Sequence, residues 1–195
     1  MKIGRVKISP GFLLLAAWLN CVDRNGLFWK GMLSCFLHEC GHFIALFLMG
    51  KSVKSINITV CGAAIDFGHG MSYKAEICAA AAGPVVNFAL AAILSRVPGK
   101  ETAAGMNFAL AVFNMLPAET LDGGRILRCV FGLLCGPEWG ERAAERISAV
   151  ITVMVCVAGV AAWKFWDNIT LLLASAWLVK GRMENRAKSG RKSKK

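Results

Sequence analysis

The stretch "FLHECGHFIALFL" over residues 36–48 places histidines at 38 and 42 and a glutamate at 39. On a helix, side chains four apart stand one turn above each other, so His38 and His42 can turn two imidazoles toward one metal ion. Glu39 is offset by about 100 degrees, able to approach a water at that metal without being a ligand. Zinc suits imidazole nitrogen and lowers the pKa of such a water toward about 7. A carboxylate beside it can take the proton and pass it to a leaving amine, which is the chemistry of peptide hydrolysis. Nearly every other side chain in the stretch is apolar. A lone histidine there would read as a hydrogen-bonded packing residue. Two histidines and a glutamate together read as a functional site, because ionisable groups in an apolar helix are costly.

Two histidines and a water leave zinc one ligand short. A second polar island, "FNMLPAETLDGGR" over residues 113–125, supplies candidates. Asp122 follows a proline break at Pro117 and precedes Gly123 and Gly124, which allow close approach. Taken alone, Asp122 is equally a helix N-cap, a position aspartate favours. Beside an incomplete zinc site the ligand reading is preferred, with Glu119 as a competitor. The remaining histidine, His69, reads as a surface residue.

Composition says what must position these residues. Of 195 residues, 56% are hydrophobic and 18% charged, against about 25% charged in soluble domains. The mean hydropathy is +0.52. An integral membrane protein follows. The net charge of +11 does not indicate nucleic acid, because many of the basic residues crowd the stretch 180–195, "KGRMENRAKSGRKSKK", beside an apolar segment. A cytoplasmic juxtamembrane anchor explains that placement. The eight cysteines are scattered, mostly within apolar runs and with no C-x-x-C pair, so neither a disulfide framework nor a zinc knuckle is expected. The N-terminal "MKIGRVKISPGFLLLAAWLN" has the basic and apolar parts of a signal peptide but no convincing cleavage site, and is expected to be a retained first helix.

The expected fold class is an all-α polytopic membrane protein with about six transmembrane helices. Spans need roughly 20 mostly apolar residues. Six candidates cover residues 8–22, 27–49, 75–94, 102–116, 143–163 and 166–179. The first is punctuated by Pro10, and the fourth is short and ends at Pro117. Residues 55–65 alternate and are rich in β-branched side chains, predicting a small membrane-surface β-hairpin with its turn at Cys61 and Gly62. Residues 121–135 predict a short helix opened by Asp122. The organisation expected is one transmembrane domain over 1–180 and a basic cytoplasmic tail over 181–195. The basic residues favour both termini inside.

Three elements then carry a resemblance: His38-Glu39-x-x-His42, Gly83-x-x-x-Asn87 within "AAAAGPVVNFALA", and Asn114-x-x-Pro117-x-x-x-x-Asp122-Gly123. In this order they resemble the site-2 protease family of intramembrane zinc metalloproteases. The resemblance implies His38, His42 and Asp122 as ligands of one zinc ion per chain and Glu39 as general base. It implies Asn87 and Asn114 as residues that hold substrate backbone or steady an oxyanion; helix–helix hydrogen bonding is the alternative for both. It further implies a transmembrane-segment substrate, a lipid bilayer setting and an inhibitory membrane partner, with no role for nucleic acid. Only the hairpin region lies where many relatives carry a PDZ domain, and a basic tail stands where sporulation-type relatives carry a CBS domain. The layout is most similar to that branch without its CBS domain. The rival class is a non-proteolytic membrane zinc-binding regulator or metal transporter. A transporter would need ionisable residues along a path, and the apolar segments are nearly bare of them outside the motifs.

Overall fold

The computed structural model describes residues 5–8, 23, 26–51, 53–59, 62–67, 71–168 and 170–192. They divide into two units, Met1–Asn114 and Met115–Lys195.

The first unit opens with strand β1 (Arg5–Ile8), followed by helix α1 (Leu27–Leu48), strands β2 (Val53–Thr59) and β3 (Gly62–Phe67), and helices α2 (Tyr73–Leu94) and α3 (Glu101–Asn114). The strands form one sheet in the order β1-β2-β3. β2 and β3 pair antiparallel, Ile56 opposite Ile65 and Thr59 opposite Gly62, while β1 lies parallel to β2. Cys61 of the expected turn lies outside the described residues, as do His69 and residues 9–22 of the expected first span. Helix α1 begins where Gly26 takes a left-handed φ of 63°. The Asp23 carboxylate accepts from the Leu27 and Phe28 N–H groups at 3.0 and 2.7 Å, satisfying donors that a helix start leaves without partners. Ser72 does the same for α2, its hydroxyl accepting from Ala75 N–H at 3.3 Å.

The helices of this unit invert the arrangement of a soluble core. Their buried positions are small, including Ala79, Ala80, Gly83, Ala91, Ala104 and Ala111, while Trp29, Phe36, Phe47, Ile93 and Phe108 are exposed. Lipid tails are as apolar as these side chains, so burying them between helices gains little. Small residues instead let backbones approach closely and gain dispersion contacts. At Gly41 an added Cβ would stand 2.8 Å from the Ala82 carbonyl oxygen on α2, so even alanine there would cost about 1–3 kcal/mol of overpacking.

The second unit holds helices α4 (Asp122–Cys135), α5 (Pro137–Trp166) and α6 (Thr170–Lys192). Gly136, at a φ of 93°, turns the chain between α4 and α5, and Pro137 opens the next helix, where its missing N–H costs nothing. Gly140 packs against α4 so tightly that a Cβ would lie 2.6 Å from the Arg128 carbonyl.

Among the described residues, three helices are long and apolar enough to cross a membrane: α1, α2 and α5 as far as Phe165. Of the six spans expected, these three are supported by length and composition, and residues 9–22 of the first lie outside the described residues. Helices α3 and α4 have 14 residues each, about 21 Å at 1.5 Å per residue, against roughly 30 Å of hydrocarbon. Helix α6 runs on from its apolar start through the basic stretch to Lys192, and its composition fails for that reason. The membrane character itself stands on the three spans.

Candidate metal centre

His38 and His42 sit on the buried side of α1, each 5% exposed. Their rings meet edge to face, with centroids 4.7 Å apart. The His42 Nδ1 lies 2.7 Å from the Ala79 carbonyl oxygen on α2. A carbonyl can only accept, so Nδ1 carries the proton and Nε2 presents a lone pair, the orientation that metal-binding imidazoles need. The two Nε2 atoms face each other at 3.1 Å. Two nitrogens bound tetrahedrally at 2.0–2.1 Å would stand about 3.3 Å apart, so the pair is nearly at ligand spacing.

Space in front of the pair is kept by a missing side chain. A Cβ on Gly83 would lie 2.8 Å from His38 Nε2 and nearer still to His42 Nε2. Gly83 therefore matters for its emptiness rather than for backbone freedom. Glu39 is half-buried on the same helix, beside the pair.

In the second unit, Asp122 is 8% exposed. It is the first residue of α4; the N-cap is Leu121, and no side chain caps the helix. The N-cap alternative for Asp122 is thereby set aside. Gly123 and Gly124 fold the first turn of α4 back on the preceding chain. A Cβ at Gly123 would collide with the Met115 carbonyl and stand 2.6 Å from that of Leu116; one at Gly124 would collide with the Ala118 carbonyl. Glu119 is half-buried, and its N–H donates to the Ser148 hydroxyl on α5 at 3.0 Å. By donor chemistry alone, two imidazoles and a carboxylate suit a zinc ion and leave a tetrahedral ion one position for water.

Asn87 is fully buried on α2. Its Nδ2 donates to the Ser34 carbonyl at 3.4 Å, while its Oδ1 has no hydrogen-bond partner among the described residues. Asn114 closes α3 with its Nδ2 on the Leu110 carbonyl at 3.0 Å, which commits that donor within its own helix. Two polar residues missed in the sequence join this seam. Asn107 on α3 is 3% exposed and donates to Ser34 Oγ and the Ala103 carbonyl, both at 2.9 Å. A lone amide inside the apolar run "AAGMNFALAVF" was the signal available for it.

The profile of Peptidase family M50 matches residues 100–159. Zinc metalloprotease MJ0392 of Methanocaldococcus jannaschii is 26% identical over 186 residues, covering 87% of this chain and 53% of that protein. The protein sll0528 of Synechocystis sp. is 33% identical over 116 residues, 53% of this chain and 30% of its own length. The chain thus spans about half of the first relative and less than a third of the second. Among solved structures, the site-2 protease from Methanocaldococcus jannaschii matches with a TM-score of 0.68 and 24% identity, over 94% of this chain and 92% of that one; at this identity the likeness speaks for the fold. The chain is thus similar over residues 100–159 to peptidase family M50 and shares its fold with a site-2 protease.

Proposed function

We propose that the chain is an intramembrane zinc metalloprotease that hydrolyses a peptide bond within or near a transmembrane segment of another membrane protein. The observation that carries this reading is the buried histidine pair, with Nε2 atoms 3.1 Å apart and Gly83 keeping the space before them clear. His38, His42 and Asp122 are the proposed zinc ligands. When bound, zinc supplies Lewis-acid polarisation of the scissile carbonyl and acidified water at neutral pH. Glu39 takes the proton of the attacking water and delivers it to the leaving amine. The buried Asn87 Oδ1 supports a role in holding a substrate N–H; for Asn114, one Nδ2 hydrogen is committed to the Leu110 carbonyl, and the second N–H and the Oδ1 are what it can offer.

The metal is in the membrane because the scissile peptide is. A substrate helix hides its amides in its own hydrogen bonds and must unwind before attack. An edge of the β1-β2-β3 sheet can capture the extended segment by strand addition. Water reaches the zinc from the cytoplasmic side through irregular backbone near Pro117, of the kind tolerated at membrane depth only where it lines a cavity. The protein is read as multi-pass with both termini cytoplasmic and a basic tail over 181–195. Release of a membrane-tethered transcription or sigma factor, restrained by an inhibitory membrane partner, is the proposed physiological setting.

The test is co-expression with single-span membrane proteins, comparing wild type with Glu39→Gln. The amide cannot accept the water's proton, so cleavage should fall to background while purified protein retains about one zinc per chain. Normal turnover by the variant would refute the mechanism.

A further inference from the structure

Asp122 stands at the end of a short irregular segment, residues 115–121, and two of that segment's restraints come from helices that carry no motif residue. The segment is wound tightly on itself: Ala118 N–H donates to the Leu116 carbonyl at 2.8 Å, and Leu121 N–H to the Ala118 carbonyl at 2.9 Å. From α5, Ser148, 1% exposed, accepts the Glu119 N–H at 3.0 Å. From α6, Gly181 lies against the Thr120 side chain so closely that an added Cβ would overlap its Cγ2. The Thr120 Oγ1 is buried with no hydrogen-bond partner among the described residues. Packing, and not a polar tether, therefore holds this side chain. Threonine is branched at Cβ and stiff at χ1, so pressure on Cγ2 passes to the backbone two residues before Asp122.

We propose that Gly181 of α6, acting through Thr120, and Ser148 of α5, acting through Glu119 N–H, are positioning residues that aim the Asp122 carboxylate. This rests on the reading of Asp122 as a zinc ligand. Neither residue touches the metal or the substrate. Both set where the turn before α4 comes to rest, and the end of the C-terminal helix becomes part of the metal centre's support. Groups that orient ligands in this way typically govern metal affinity by about 10–100-fold.

The test measures zinc retention against a competing chelator on full-length protein purified in detergent, with thermal unfolding in parallel. Gly181→Ala should lose zinc about tenfold more readily than wild type, and Ser148→Ala several-fold. Thr120→Ser alone removes Cγ2 and should stay within about twofold of wild type, and the double variant Thr120→Ser with Gly181→Ala should recover, because the space is restored. Gly159→Ala is the control for general loosening. Its Cβ would meet the α6 backbone at Leu172, 3.0 Å away, so it should lower the unfolding temperature and leave zinc affinity alone. If Gly181→Ala and Ser148→Ala hold zinc like wild type while Asp122→Ala releases it, the proposal is wrong and the ligand reading stands. Should Asp122→Ala also hold zinc, the ligand reading falls and the proposal with it. A Gly181→Ala chain that does not fold leaves the decision to Ser148→Ala and to rescue by Thr120→Ser.

Discussion

The two units hold their candidate ligands by opposite means. In the first, His38 and His42 ride on one uninterrupted helix of 22 residues, and their spacing is a property of the helix itself. Two outside features act on the pair: the Ala79 carbonyl that fixes the His42 tautomer and the vacancy at Gly83. In the second, Asp122 gains nothing from helical periodicity. It is placed by a knot of short turns, two glycines pressed onto carbonyls, and contacts from α5 and α6. A regular helix makes a site from neighbours in sequence; a knot makes one from residues spread over some sixty positions, between Met115 and Gly181.

The sharpest way to break this comparison is Gly83→Ala. Its methyl would enter the space both Nε2 atoms face, so zinc affinity should fall by at least about 100-fold, and proteolysis with it. Chelator competition checks the first and a substrate-cleavage assay the second. Unchanged zinc binding would mean that the pair does not face the metal. Next comes Asp122→Ala, which should give a folded protein that loses zinc to a mild chelator, with Asp122→Asn intermediate and Glu119→Ala unaffected. The fold survives because helix packing in lipid, and not the metal, holds it. Removing one ligand while keeping the histidines separates the knot's contribution from the helix's. The smallest effect belongs to Asn107→Ala. It deletes hydrogen bonds to Ser34 and Ala103, so thermal unfolding should report about 1 kcal/mol of lost stability with zinc content unchanged.

What could be read from the sequence follows the same division. His38, Glu39 and His42 announce themselves because a helix turns sequence spacing directly into proximity. The start of α4 at Asp122 was legible from Pro117 and the paired glycines, each of which restricts or frees the backbone locally. The reach of Gly181 to Thr120 was not, since nothing in a glycine within "LVKGRM" says what lies opposite it. Nor was the pairing of β1 with β2, a four-residue strand joined to a partner more than forty positions away. Only part of the span count finds support, because hydropathy measures greasiness along the chain, whereas α3 and α4 each stop at 14 residues and α6 turns basic. The Asn87, Ser34 and Asn107 seam was half legible: each amide could be flagged as costly in lipid, but their meeting depends on which helix faces lie together.

The short α3 carries a mechanical consequence. Phe108 and Val112 are exposed on it, yet at about 21 Å it falls some 9 Å short of an average hydrocarbon layer. A helix of this length could cross the hydrocarbon only where the bilayer thinned to meet it, at a cost of fractions of a kcal/mol for each ångström of mismatch. For such a crossing, a membrane of short acyl chains would lower that cost and a sterol-thickened one would raise it, which makes bilayer thickness the variable that tests whether α3 meets lipid from end to end.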